Sequence, residues 1–175
     1  MKSRLIKISK LRIVFIILSI ACMVMIFMFS MENSDESSAT SGRFVKLVIK
    51  IFCPEFSEYS VIKQNEITDI LTFFIRKLAH FSIYTFLGLC MSLSEGSHRL
   101  LSKKSLVPFI LGVLYATSDE IHQSFSPGRS CELRDVCIDS CGVMTGILIS
   151  IVIIAIRNAL KKKRSTQEQT ERTAE

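Results

Sequence analysis

Apolar residues in this chain do not alternate with polar ones at helix or strand period; they gather in four long blocks. The first, LRIVFIILSIACMVMIFMF at 11–29, has one charge at its edge and none inside. It is long enough to cross a hydrocarbon core of about 30 Å as a helix. A cleaved signal peptide has a shorter apolar region followed by small residues at a cleavage site, a pattern that FSMENSDE does not offer, so the block reads as an uncleaved anchor. The others run over 72–94, 106–125 and 136–156. Each is near the ~20 residues that a span needs, and the second and third are apolar at one end and polar at the other. Between the first two blocks, ENSDESSATSG at 32–42 is polar and turn-rich. GRFVKLVIKIF at 42–52 then mixes bases and apolar residues at helical spacing, as an interfacial helix does. The pattern predicts an all-α polytopic membrane protein with four transmembrane helices plus an outer interfacial helix. No internal repeat is evident.

Composition agrees with the pattern: 49% of the 175 residues are hydrophobic, and the mean hydropathy is +0.38. Charge adds orientation. Lys2, Arg4, Lys7, Lys10 and Arg12 precede or open the first block, Arg99, Lys103 and Lys104 lie between the second and third, and Arg157 and Lys161 to Arg164 follow the fourth. Lys and Arg are retained on the cytoplasmic side, so both termini are expected there. The 30–71 segment, with seven acids against four bases, then faces outward. The run KKKR at 161–164 is accounted for by this retention and implies no nucleic-acid partner. The organisation expected is a cytoplasmic N-terminus (1–10), a membrane domain (11–158) and a basic, disordered cytoplasmic tail (159–175).

Ionisable residues inside spans are costly and tend to be paired and functional. On a helix, Arg76, His80, Tyr84 and Gly88 form one stripe; Tyr115, Asp119 and His122 form a second, with Glu120 and Gln123 beside it; Asp135, Asp139, Gly142 and Gly146 form a third. The last two glycines make a GxxxG that lets another helix approach closely, within the chain or in a helix-mediated homo-oligomer. With the orientation above, the polar part of every stripe and the SPGRS loop fall at the outer face, pointing to one polar pocket. Three chemistries compete there. Arg76 or Arg129 could pair with Asp119, Glu120, Asp135 or Asp139 to hold the helices together. Alternatively, Arg76, Lys77 and Arg129 could clamp a phosphate or carboxylate, with Tyr84, His122, Gln123, Asp135 and Asp139 completing a binding site. In the third, Asp119 or Glu120 acts as general base with His80 carrying the proton. The His and carboxylate residues include metal-ligand types, but without HExxH or similar spacing no metal site is assigned and no cofactor is named. Cys22 and Cys90 read as small apolar fillers, and Cys53 and Cys131 both fall outside, where a disulfide between them is permitted but not dictated.

The residues FSMENSDESS at 29–38, RKLAHFSIYTFLG at 76–88 and SDEIHQSFSPGRSCELRDVCIDSCGVMTG at 118–146 give the chain its resemblance to the VanZ-like family of bacterial membrane proteins. The elements RKxxHxxxY, DExxQxxxPxRxxxxxD and DxxG occur together in order, covering most of the chain. Many relatives carry FSSQ where this chain has Phe29, Ser30, Met31 and Glu32. The resemblance implies a cell-envelope role in resistance to lipoglycopeptides of the teicoplanin type, which act on lipid-linked wall precursors at the outer surface. It implies no settled reaction. The partners expected are membrane lipids or lipid-linked envelope molecules. Two readings follow: a non-enzymatic protein that binds such a molecule through Arg76, Arg129 and nearby carboxylates, or an intramembrane hydrolase or transferase with Glu120 or Asp119, His80 and Arg129 as its working groups. Both require one topology, and a reporter fused near Pro127 is expected to report outside and one near Ser102 inside; the reverse result overturns the shared outer pocket.

Overall fold

The computed structural model describes residues 10–96 and 99–174. The expected N-terminal cytoplasmic segment therefore lies, except for Lys10, outside the described residues. Helices α1 (Lys10–Ser30), α2 (Ser34–Phe52), α3 (Val61–Glu95), α4 (Lys103–Gln123) and α5 (Leu133–Ala174) account for nearly all of it, with a short 3-10 turn at Phe56–Glu58 and no strand among the described residues. The all-α expectation holds. Three helices, α1, α3 and α5, are long and apolar enough to cross a membrane. The remaining candidate, α4, matches α1 at 21 residues, but Lys103 and Lys104 open it and Asp119, Glu120, His122 and Gln123 close it. Its polar ends leave only 105–118 as an apolar stretch.

Contacts along the helices fix their directions. Arg12 near the start of α1 pairs with Glu95 at the end of α3 (2.8 Å), and the Cys22 thiol meets the Ile83 carbonyl at mid-length, so α1 and α3 are antiparallel. Tyr115 donates to the Met23 carbonyl (2.6 Å) and Ser30 meets His122 (3.1 Å), so α4 runs parallel to α1. Lys77 with Asp135 at one end and Ser92 with Ser150 at the other make α5 parallel to α3. The four long helices thus alternate in direction around a core of Cys22, Ile26, Tyr84, Leu87, Ala116, Val143 and Ile147. Outward faces stay apolar: Ile17, Ile20, Met28, Leu114 and Val152 are all exposed. Apolar surface of this extent suits lipid rather than water.

Three boundaries depart from the sequence expectation. The polar segment at 34–42 is the first half of α2 rather than a turn-rich linker. A capping box starts the helix: the Asn33 side chain accepts from the Glu36 amide (2.9 Å), and the Glu36 carboxylate accepts from the Asn33 amide (3.0 Å). Helix α3 begins at Val61, well before the apolar block, because Ser60 caps it and no Gly or Pro intervenes before Gly88. The tail expected to be disordered continues α5 to Ala174. Nothing after Gly146 breaks a helix, and the segment around KKKR is rich in strong helix formers. At about 1.5 Å per residue, the 42 residues of α5 reach roughly twice the thickness of a hydrocarbon core.

Backbone meets backbone where α3 crosses α5. A Cβ on Gly146 would stand 2.0 Å from the Thr85 carbonyl oxygen, and one on Gly88 2.3 Å from that of Val143. The GxxxG is therefore spent within the chain against α3, and a homo-oligomer would have to use another face. Gly146→Val is expected to lower the stability of the detergent-purified protein by at least about 1–3 kcal/mol, as overpacking does. Gly42→Ala, where a Cβ meets nothing within 4 Å, is the control. Thermal unfolding of the pair checks this, and equal melting temperatures would refute the close-contact account.

Candidate functional site

All three stripes deliver their polar ends to the same end of the bundle. Helix α3 presents Arg76, Lys77, His80 and Tyr84; the last turn of α4 presents Asp119, Glu120 and Gln123; the first turns of α5 present Asp135 and Asp139. The connection between α4 and α5 is tight. Pro127 and Gly128 are the central residues of a turn closed by the Arg129 amide donating to the Ser126 carbonyl (3.2 Å). Gly128 takes φ +76°, as the third residue of a type II turn requires. This turn folds Arg129 back over the end of α4.

Asp119, Glu120 and Asp139 are buried, at 4%, 1% and 0% exposure. The Asp119 carboxylate accepts on Oδ2 from the Tyr84 hydroxyl (3.2 Å) and from the Gln123 side-chain amide (3.0 Å). The same Gln123 accepts from the Arg129 guanidinium through Oε1 (3.1 Å). Glu120 accepts on Oε2 from the Glu132 backbone amide (3.1 Å), which ties the start of α5 to the end of α4. The other oxygen of Glu120 and both carboxylate oxygens of Asp139 are buried without a hydrogen-bond partner. His80 approaches Asp139, Nδ1 to Oδ2, at 3.6 Å. One atom each from His80, Asp119 and Asp139 fall within 4.8 Å of one another, a donor set that the sequence spacing concealed.

Outside this cluster lies a cavity of about 210 Å³. Ile26, Phe29, Phe44, Ile75 and Ile83 give it an apolar wall, and Glu32, Arg76, His80 and Arg129 make its polar side. A more polar recess of about 160 Å³ adjoins it, sharing Arg76 and Arg129 and reaching Lys77 and Asp135. Among the described residues neither arginine forms an ion pair with a carboxylate; Lys77 pairs with Asp135 instead. Burial first, and then the neighbouring Arg76 guanidinium, lower the Arg129 pKa from its ordinary value.

The structure brings together Arg76, Lys77, His80, Tyr84, Asp119, Glu120, Gln123, Arg129, Asp135 and Asp139. It does not bring in His122. That ring packs on Phe27 (centroids 4.7 Å apart) and bonds to Ser30, on the side of α4 that faces α1. Asp119 and Gln123, four apart, face the core together, whereas His122, three from Asp119, turns to α1. The alternative in which Arg76 or Arg129 clasps the carboxylates is not realised. Cys53 and Cys131 are free thiols. Sequence reasoning missed Ser37, Thr40 and Ser41 of α2 as cavity wall because 32–42 read as turn-rich, and missed Phe44 because the helix expected over 42–52 was assigned to the outer leaflet alone. The capping pair Asn33 and Glu36, three apart, was the available signal.

A family model described as VanZ/LLP1 matches residues 15–155. No curated protein and no solved structure matches the chain.

Lys77 and Asp135 are both largely buried; removing Asp135 takes away the ion-pair partner of Lys77, and removing Lys77 leaves Asp135 only Arg134, at 3.9 Å. Lys77→Met and Asp135→Asn are each expected to cost about 1–3 kcal/mol. The double variant should fall short of their sum by about 0.5–3 kcal/mol, measured as a double-mutant cycle of unfolding. Strict additivity would show that the contact contributes nothing.

Proposed function

The chain belongs to the VanZ/LLP1 family, and from that premise we propose that it is a cell-envelope protein of the bacterial cytoplasmic membrane. In this reading its outer face binds the anionic head group of a lipid-linked envelope molecule and so alters the access of teicoplanin-type lipoglycopeptides. The observation that carries it is the pair Arg76 and Arg129, which line one side of a largely apolar cavity without an ion pair to any carboxylate, although Glu32 lines the same side. The two guanidinium groups lie within Coulombic reach of each other, with Glu32, Asp119 and Glu120 offsetting part of their repulsion, and an anion between them would offset more while accepting charge-assisted hydrogen bonds. At about 210 Å³ the cavity is smaller than the roughly 300–1,000 Å³ of most ligand pockets, so it would take a phosphate-sized part of the head group and leave the tail in the bilayer.

The topology that goes with this reading has α4 as a fourth span and both termini inside. Its support is the equal length and parallel course of α1 and α4, together with the basic loops that would share the cytoplasmic side. Helix α2 then lies along the outer leaflet with Phe44, Leu47, Ile51 and Phe52 exposed to lipid.

A second reading, an intramembrane hydrolase or transferase, draws on the unpartnered oxygens of Glu120 and Asp139 close to His80, which itself lines the cavity. Glu120 or Asp119 would serve as general base, His80 would carry the proton and Arg129 would stabilise developing negative charge.

Expression in a sensitive host is expected to raise teicoplanin tolerance, with vancomycin as the control drug. Arg76→Gln or Arg129→Gln is expected to remove that protection and to weaken capture of a polyprenyl diphosphate by the purified protein about tenfold to a hundredfold, the loss of one charge-assisted bond. Unchanged susceptibility and unchanged capture would defeat the binding reading. Glu120→Gln and His80→Asn separate the two: full protection by both variants leaves no role for catalysis at those groups.

A further inference from the structure

Three carboxylates, those of Asp119, Glu120 and Asp139, are buried between α3, α4 and α5, and among the described residues His80 is the one basic side chain within 4 Å of any of them, at Asp139. Lys77 is committed to Asp135, and Arg129 reaches only the Gln123 amide. Carboxylates taken out of water without compensating charge are expensive. The least compensated is Asp139, whose side chain is 1% exposed and whose two oxygens have no hydrogen-bond partner. Such a group either takes up a proton or meets a cation.

We propose that His80, Asp119 and Asp139 bind a divalent first-row metal ion, of the Mn²⁺ to Zn²⁺ class, beneath the arginine-lined cavity. The donor set selects that class: an imidazole disfavours Mg²⁺ and Ca²⁺, while two carboxylates and no thiolate disfavour softer ions. Geometry agrees. Ligands at about 2.0–2.2 Å from a metal lie roughly 3–4.2 Å from each other. His80 and Asp139 already stand 3.6 Å apart, and all three donors lie within 4.8 Å, so closure around an ion needs a shift of well under 2 Å. Outer-shell support is in place as well. Tyr84 and Gln123 both donate to Oδ2 of Asp119, which orients that carboxylate and leaves Oδ1 with neither bond. Three protein ligands leave coordination positions open, and His80, which borders the cavity, puts the ion next to whatever the cavity holds. The metal site does not depend on the head-group reading, and each can fail without the other.

The test uses the full chain purified in detergent, with Cys131, Cys137 and Cys141 replaced by Ser so that exposed thiols take up no zinc. After loading with Zn²⁺ or Mn²⁺ and removal of free ion, elemental analysis is expected to find about one ion per chain. His80→Asn and Asp139→Asn, checked for helix content by circular dichroism, should retain less than about a tenth of that. Thermal melts give a second readout: metal should raise the melting temperature of the parent and a chelator lower it, as preferential binding to the native state requires, with neither effect in Asp139→Asn. A protonated rather than metal-bound cluster predicts the opposite, a parent indifferent to metal and an Asp139→Asn variant at least as stable. The proposal is overturned by a folded parent that retains neither ion, or by variants that retain as much as the parent.

Discussion

Everything at the polar end of this bundle depends on how closely α3 and α5 approach. With Gly88, Gly142 and Gly146 at the crossing, main chain packs on main chain, and a side chain at any of them would collide with a carbonyl. Contact of that kind is the usual way to gain packing energy in lipid, where burial of apolar surface drives nothing. It also fixes register. Gly142 faces Phe81 and Tyr84, so one turn toward the polar end Asp139 meets His80, and a further turn brings Asp135 to Lys77. The Ser92 and Ser150 hydroxyls mark the same register at the other end. The ion pairs are consequences of the glycine contact rather than its cause.

Much of this was legible in the sequence. The i, i+4 stripes named the residues of α3 and α5 that converge, and the SPG turn follows from Pro and Gly at the only positions where a type II turn wants them. On α4 the reading was half right, because Asp119, Glu120 and Gln123 face the core while Tyr115 and His122 face α1. A helix buried on two sides has two polar-bearing faces, and spacing alone does not say which neighbour each one meets. The start of α2 and the extension of α3 were missed for another reason: polar helices held by caps at Asn33 and Ser60 show no apolar periodicity. The carboxylate and histidine trio was hidden because its members lie on three helices and share no local spacing. Two of its residues come from sequence positions 39 and 59 residues after the first.

Helix α2 changes what the polar end can do. Without it, Arg76 would border open lipid or water; with Ser37, Thr40, Ser41 and Phe44 opposite, a walled cavity results. Val45 is almost completely buried, at 1% exposure, so α2 is held by packing, while Phe44 and Leu47 remain exposed. The cavity is therefore lined by apolar side chains and small hydroxyls, with two arginines, His80 and Glu32 on one side.

The remaining puzzle is why two arginines and three buried carboxylates do not simply neutralise one another. Gln123 supplies the answer. Its amide donates to Asp119 through nitrogen and accepts from Arg129 through oxygen. A neutral group thus bridges both charges and holds them one residue apart, while Arg129 Nε stays buried without a hydrogen-bond partner. A glutamate at that position would pair with Arg129 and repel Asp119; an alanine would leave both with one partner fewer. Tyr84 does the same from the other side, giving Asp119 a hydroxyl rather than a cation. The result is a partial charge separation, with Arg76 and Arg129 on the cavity beside Glu32 and the carboxylates of Asp119, Glu120 and Asp139 in the bundle interior. Only His80 belongs to both, lining the cavity while reaching Asp139. Whatever enters the cavity as an anion and whatever enters the bundle as a cation would therefore sense each other through this one imidazole.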